Sequence, residues 1–465
     1  MKALNAVRMS GREVLPLIEG GKGVSATNGV SSGVWASTGG IGTVSGVNAD
    51  SYDDNGNVIR QVYKSKIRKE RHEEMVTYAI SGGIAQVHRA HEVAGGKGAL
   101  HLNVLWEMGG AVRILEGILE KTKGLIHGVT CGAGMPYRVA QIAEKYNIYY
   151  YPIVSSARAF RALWLRSYKK VPSLLGGVVY EDPWRAGGHN GLSNVEDPLK
   201  PEDPYPRVAL LRKQMNEYGL NDTPIIMAGG VWWLCEWENW LDNPEIGPIA
   251  FQFGTRPLLT VESPIPQSWK DRLFDVKKGD VALNKFSPTG FYSSAVRNAF
   301  LQELYDRSAR QIVYATEATD VLTESFKTGP VGNPVFVSAD DLLKAKAWIE
   351  AGFSKAMRTP DSTLVFETPE IARLVLQDQA NCMGCLSQCL FSNWAENEEG
   401  TTGRMADPRS FCIQKSLQNV AHEGDMDDFL MFAGHNCYRF SEDPFYANKF
   451  VPTVKQLVEQ ILTGK

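Results

Sequence analysis

No window of this chain offers about 18 or more uninterrupted apolar residues, the run a membrane-crossing helix needs. Its start, MKALNAVRMSGREV, has no apolar core of the kind a secretory signal carries. Both absences point to a soluble, cytoplasmic protein with no membrane partner. An excess of one charge is missing too: 49 Lys and Arg stand against 52 Asp and Glu, a net charge of −3. That balance excludes a dedicated polyanion binder and predicts no nucleic-acid partner. Cysteine is scarce, seven in 465 residues; the odd count suits a reducing compartment better than a disulfide framework. No GxGxxG opens a βαβ unit, so a dinucleotide fold of that kind is not supported.

Apolar residues at 43% and charged residues at 22% are close to globular averages. The length allows either one large barrel with additions or two to three domains. Many of the 44 glycines directly follow short β-branched runs, where strand-to-helix turns need them. Eight runs of strand length are read: residues 14–19, 41–46, 99–105, 125–131, 148–154, 175–181, 224–228 and 248–253. Between them lie helical faces: Val112, Leu115, Ile118 and Leu119; Val139, Ile142 and Ala143; Val208, Leu211 and Met215. Near-continuous apolar strands alternating with amphipathic helices require a helix-covered parallel sheet, and eight repeats let it close as a (β/α)8 TIM barrel. An open doubly wound sheet is the competing architecture.

After Phe253 the rhythm breaks. Residues 1–256 are read as the barrel, 257–330 as an irregular insertion over its mouth, and 331–465 as a mainly helical C-terminal extension. In the extension, Ser338 and Asp341 resemble a capping box opening ADDLLKAKAWIEAGF, and a final helix is expected over 454–462. Such a tail also suits a homo-oligomer contact.

EDPWRAGGHNG, residues 181–191, follows the sixth strand. Its glycines allow a sharp turn or close approach to a flat ligand, and His189 is then projected from the strand's C-terminal end, where barrels place catalysis. Imidazole suits proton transfer near neutral pH. The bland alternative is a turn with a hydrogen-bonded histidine, and glycine context and position favour function. Strand seven ends in Ala228-Gly229-Gly230 and strand eight in Gln252-Phe253-Gly254-Thr255-Arg256. Glycine-freed amides and a hydroxyl on these adjacent loops suit a phosphate; a single GG would be ordinary turn chemistry. Earlier, PLIEGGKG follows strand one, and LHLNV sets Asn103 in strand three, whose amide both donates and accepts.

AGGHNG, IMAGGV, FQFGTR and PLIEGGKG, in this order and spacing, resemble the nitronate monooxygenase family, formerly 2-nitropropane dioxygenases, with its related enoyl and quinone reductases. The ending FAGHNCYRFSEDPFYANKFVPTVKQLVEQIL is similar to the tail of a longer subgroup. The resemblance implies an FMN-binding TIM barrel with His189 as the active-site histidine. It implies that Asn103, Gly187, Gly188, Gly230, Gln252, Gly254 and Thr255 touch FMN, with Gly21, Lys22, Glu181 and Gly229 beside it. Lys22 stands where many relatives carry Met, and Glu181-Asp182 replaces a Gln. The activity expected is oxidation of an alkyl nitronate with O2; the alternative is NAD(P)H-dependent reduction of an enoyl thioester or quinone. From another class comes a non-catalytic binding or assembly subunit.

The segment CMGCLSQC sets Cys382, Cys385 and Cys389 close together, with Cys412 or Cys437 as a fourth ligand. It is similar to the iron–sulfur segment of some flavin-barrel reductases, and zinc is an option for the same ligands. Buried free thiols are the plain alternative. The basic run from Arg60 to Glu74 reads as a solvated helix face, its charges being mixed. Trp232, Trp233, Trp237 and Trp240 read as packing at helix-like spacing.

Overall fold

The computed structural model describes residues 2–328 and 334–465; the boundary expected between 330 and 331 lies outside the described residues. Eight parallel strands close into a barrel in chain order: β1 (Leu17–Glu19), β2 (Ile41–Ser45), β3 (Ala99–Leu105), β4 (Gly128–Gly132), β5 (Tyr149–Val154), β6 (Val178–Glu181), β7 (Ile225–Ala228) and β8 (Ile249–Phe253). The fold is a TIM barrel, and the open sheet is excluded. Each strand falls on one of the eight apolar runs. Val14 is the exception within those runs: it belongs to an N-terminal hairpin, Val7–Met9 with Arg12–Val14. This hairpin packs Met9 and Val14 against inward-facing Ile18, Ile41, Val179 and Ile226.

Helices α1 (Gly29–Ser37), α2 (Arg68–Ala94), α3 (Ala111–Lys121), α4 (Val139–Tyr146), α5 (Ala157–Arg166) and α6 (Pro204–Glu217) connect successive strands, and a 3-10 helix, Leu234–Trp240, follows β7. The terminal helix Val454–Leu462 buries Val454, Leu457, Val458 and Ile461 in the same cluster as Trp35 of α1. Its capping box on Thr453 and Gln456 holds its first turn. The last segment of the chain thus supplies the helical cover beside α1. Among the described residues, no helix is long and apolar enough to cross a membrane.

The stretch after β8 is more ordered than its composition suggests. It carries helices Gln267–Phe274 and Ala299–Ala309 and a hairpin, β9 (Val281–Asn284) with β10 (Ser293–Val296). β10 also pairs with Gly188 and His189; its order comes from long-range pairing, which local patterning does not show. The following lobe mixes helices with an antiparallel sheet of Gln311–Val313, Thr363–Glu367 and Lys355–Arg358. Ser338 caps its helix Ala339–Glu350 by accepting from Asp341 N at 3.1 Å. The basic run is not simply solvated: α2 buries Arg71, whose guanidinium donates to Ala380 O and Cys382 O at 2.7 and 3.0 Å. Trp232, Trp237 and Trp240 are buried, and Trp232 and Trp233 both donate to Asp443 Oδ2, at 2.8 and 3.0 Å.

Candidate functional site

The strand registers bring Ser45, Asn103 and Thr130 level at one end of the barrel, and Glu181, Ala228 and Gln252 level on the opposite arc. These are the C-terminal ends, from which the loops rise. They enclose a cavity of about 270 Å³. The first loop brings Gly21 and Lys22 to its wall, β3 brings Asn103, and β6 with its loop brings Glu181, Gly187, Gly188 and His189. The seventh and eighth loops bring Gly229, Gly230, Gln252, Gly254 and Thr255. Motifs scattered over the chain meet in one place.

His189 is half-buried and lies on an antiparallel pair with Ser293. Its Nε2 is 2.5 Å from the Ser287 hydroxyl, which in turn faces Thr289 Oγ1 at 2.8 Å. Phe432 lies against the ring at 5.5 Å. Burial lowers the imidazole's pKa to about 4, so the ring is neutral near pH 7. Glu181 is pushed the other way, up to about 8, by burial and by the adjacent Asp182 carboxylate. A protonated carboxyl both donates and accepts, as the amide of a Gln does. Asp182 itself accepts from the Trp184 and Arg185 amides, each at 2.9 Å, and turns the loop.

Gly21 serves a close approach. A Cβ there would stand 2.4 Å from the Asn103 Cβ, so the first loop lies directly on the third strand's amide side chain. Beyond Gly254 the space is open, with nothing within 4 Å of where its Cβ would be. Gly229 and Gly230 both have positive φ, 86° and 82°, which suits glycine. Lys22 does not present a free charge. Its Nζ donates to Gly20 O at 2.9 Å and lies 3.6 Å from Glu19 Oε1, and burial lowers the amine's pKa and raises the carboxyl's.

Five residues escaped the sequence reading. Ser287 belongs to the stretch after β8, and nothing local marks it. Glu19 sits inside the quoted PLIEGGKG, a visible carboxylate beside the lysine. Glu107 lines the cavity with its pKa raised to about 7 by burial. Gly434 and Asn436, in the quoted FAGHN, also line it.

The expected metal site is not formed. Among the described residues no group of three or more His, Cys, Asp or Glu side chains is placed to hold a metal ion. Cys382 Sγ accepts from Ser392 Oγ at 3.0 Å, and burial raises Cys389 to about 11 and Cys412 to about 12, which keeps these thiols protonated. The segment acts instead as a wall. Leu386 bridges Met108, Gly109 N donates to Cys385 O at 3.0 Å, and Ser387 N donates to Glu107 O at 2.7 Å. Of the four cysteines only Cys385 reaches the cavity.

No sequence-family model matches the chain, and no curated protein matches it. Among solved structures, the enoyl reductase domain of MlnA from the macrolactin biosynthesis cluster of Bacillus amyloliquefaciens superposes with a TM-score of 0.51. It is 10% identical, over 97% of this chain and 93% of that one. FabK from Thermotoga maritima gives 0.49 at 13% identity, over 97% and 92%. Nitroalkane oxidase from Streptomyces ansochromogenes gives 0.45 at 17%, over 62% and 78%. Similarity at such identities speaks for the fold alone.

Proposed function

We propose that this chain is an FMN-dependent oxidoreductase that oxidises alkyl nitronates with O2 to a carbonyl compound and nitrite. The observation that carries the reading is the convergence of His189, Asn103, Gln252 and the glycines of the seventh and eighth loops on one cavity at the barrel mouth. The residues present fit FMN. Open space at Gly254 leaves main chain accessible to a phosphate, and Gly229 and Gly230, both at positive φ, line the same cavity. Asn103 and Gln252 set amide side chains in the same cavity, groups suited to a flavin's pyrimidine edge. When bound, FMN would supply the redox chemistry between the substrate and dioxygen, whose oxygen atom becomes the carbonyl oxygen.

The chain's own part is to bind, orient and move protons. Neutral His189, steadied by Ser287, orients the nitronate group, or takes the α-proton where the neutral nitroalkane is the form bound. Protonated Glu181 offers an uncharged donor at the mouth of β6, and the Glu19–Lys22 pair leaves little net charge in the first loop. A second reading, NAD(P)H-dependent reduction of an enoyl thioester or quinone, is favoured by one observation. Leu386, Ile413, Leu417, Val420 and Phe432 line the outer cavity, an apolar wall larger than a short nitronate uses. Anaerobic stopped-flow separates the two: bleaching of the flavin by nitronate alone supports the first, and rapid bleaching by NAD(P)H supports the second.

A further inference from the structure

The segment Met431–Asn436 runs along β10: Val296 N donates to Met431 O at 2.9 Å, and Phe432 bridges Ala295. It then crosses three barrel loops in succession. Gly434 N donates to Thr255 Oγ1 at 2.9 Å, His435 N donates to Arg185 O at 3.1 Å, and Asn436 Nδ2 donates to Gly230 O at 2.6 Å. One of the three, His435 N on Arg185 O, is main chain on main chain, and the strap lies close. A Cβ on Gly187 would stand 2.5 Å from the Ala433 carbonyl carbon, and one on Gly434 would stand 3.0 Å from Arg185 O. Gly187 has no room for a side chain here, and one at Gly434 would crowd Arg185 O and Thr255 Oγ1.

We infer that the strap Ala433–Asn436, with Arg185, forms the third wall of a phosphate niche whose other two walls are the seventh and eighth barrel loops. The inference rests on the FMN reading above and names the cofactor's phosphate ester as the occupant. A hydroxyl that accepts from Gly434 N keeps its own hydrogen for another acceptor, and a phosphate oxygen is purely an acceptor. Thr255 is therefore oriented as a phosphate donor by a residue far along the chain. Asn436 holds the Gly230 carbonyl and so fixes the turn of Gly229 and Gly230, which lines the same cavity. Arg185 supplies the charge. Its aliphatic stem lies against Gly230, with Cδ 2.9 Å from a Cβ placed there, while among the described residues its guanidinium has only a distant carboxylate, Asp182 at 3.9 Å. Arg185, Gly230, Thr255, Gly434 and Asn436 all line the one cavity.

The test compares FMN with riboflavin, which carries the same ring and no phosphate. Dissociation constants for both are measured by fluorescence titration on the full chain as wild type, Asn436→Ala and Arg185→Gln. Each variant is expected to weaken FMN about tenfold and riboflavin less than about twofold, so that the preference for FMN collapses. Gly434→Val is expected to lose the preference as well, with circular dichroism confirming its fold. If wild type prefers FMN and the folded variants keep the same preference, the strap proposal is overturned while the FMN reading stands. If wild type binds neither flavin, the FMN reading falls, and the proposal with it.

Discussion

His189 Nε2 lies 2.5 Å from Ser287 Oγ, so the imidazole at the end of the sixth strand is steadied by a hydroxyl from the segment after the eighth. Ser287→Ala removes that partner but leaves Phe432 against the ring. Nitronate turnover is expected to fall about 5- to 20-fold with FMN content unchanged, against about 100-fold or more for His189→Ala. Steady-state kinetics on flavin-replete protein check both. Equal turnover in Ser287→Ala and wild type removes Ser287 from the account.

Gly21 and Asn103 make a second paired claim. Gly21→Ala places a Cβ 2.4 Å from the Asn103 Cβ, and is expected to cost about 1–3 kcal/mol in urea unfolding. Asn103→Ala keeps its own Cβ and leaves the clash in place, whereas Asn103→Gly relieves it. The double variant Gly21→Ala with Asn103→Gly should therefore be less destabilised than the two single costs summed. Simple additivity contradicts the contact.

Titration gives a third. His189 is depressed to about 4, so the unfolded chain binds its proton first on acidification, and stability from this group falls between about pH 6.5 and 4. Glu181 is raised to about 8, so the folded chain keeps a proton that the unfolded chain has already lost. Its contribution is present below about pH 4.5 and is lost as pH rises through 8. Glu181→Gln removes this alkaline loss. Relative to wild type the variant should gain about 1–2 kcal/mol between pH 5 and 8, a figure discounted for water in the cavity. Parallel profiles of unfolding free energy against pH refute it.

The barrel was legible because all eight strands are buried on both faces and so read as apolar runs bounded by glycine or proline. α3 and α4 showed as amphipathic periods for the complementary reason: one face meets the sheet and the other meets water. α1 did not. Its GVSSGVWAS packs backbone against backbone on α2, with a Cβ on Gly33 only 2.7 Å from Ala90 O, so small residues replace an apolar stripe. His189 and the glycine turns were legible from local chemistry. Ser287 and Asn436 were not, because Ser287 meets His189, and Asn436 meets the cavity, only through a hairpin or strap contact with residues far away in the chain. The Cys-rich spacing suggested ligands, yet its side chains are not gathered around a common centre and its backbone acts as a wall.

The thiols give a fourth prediction. All seven cysteines are free, and only Cys235 is exposed. Thiol titration of the native protein should find about one fast group, rising to about seven in denaturant. Iron and zinc should lie well below one per chain. Stoichiometric iron or zinc retained on purification contradicts this account of the segment.

The central claim is that the barrel mouth holds FMN, and the most direct measurement is the flavin released from the purified chain, quantified beside its visible spectrum. The account predicts a yellow protein that yields about one FMN per chain, or a colourless one that takes up FMN to that level. A colourless protein that binds no FMN on reconstitution contradicts it and leaves a non-catalytic binding subunit as the reading to pursue.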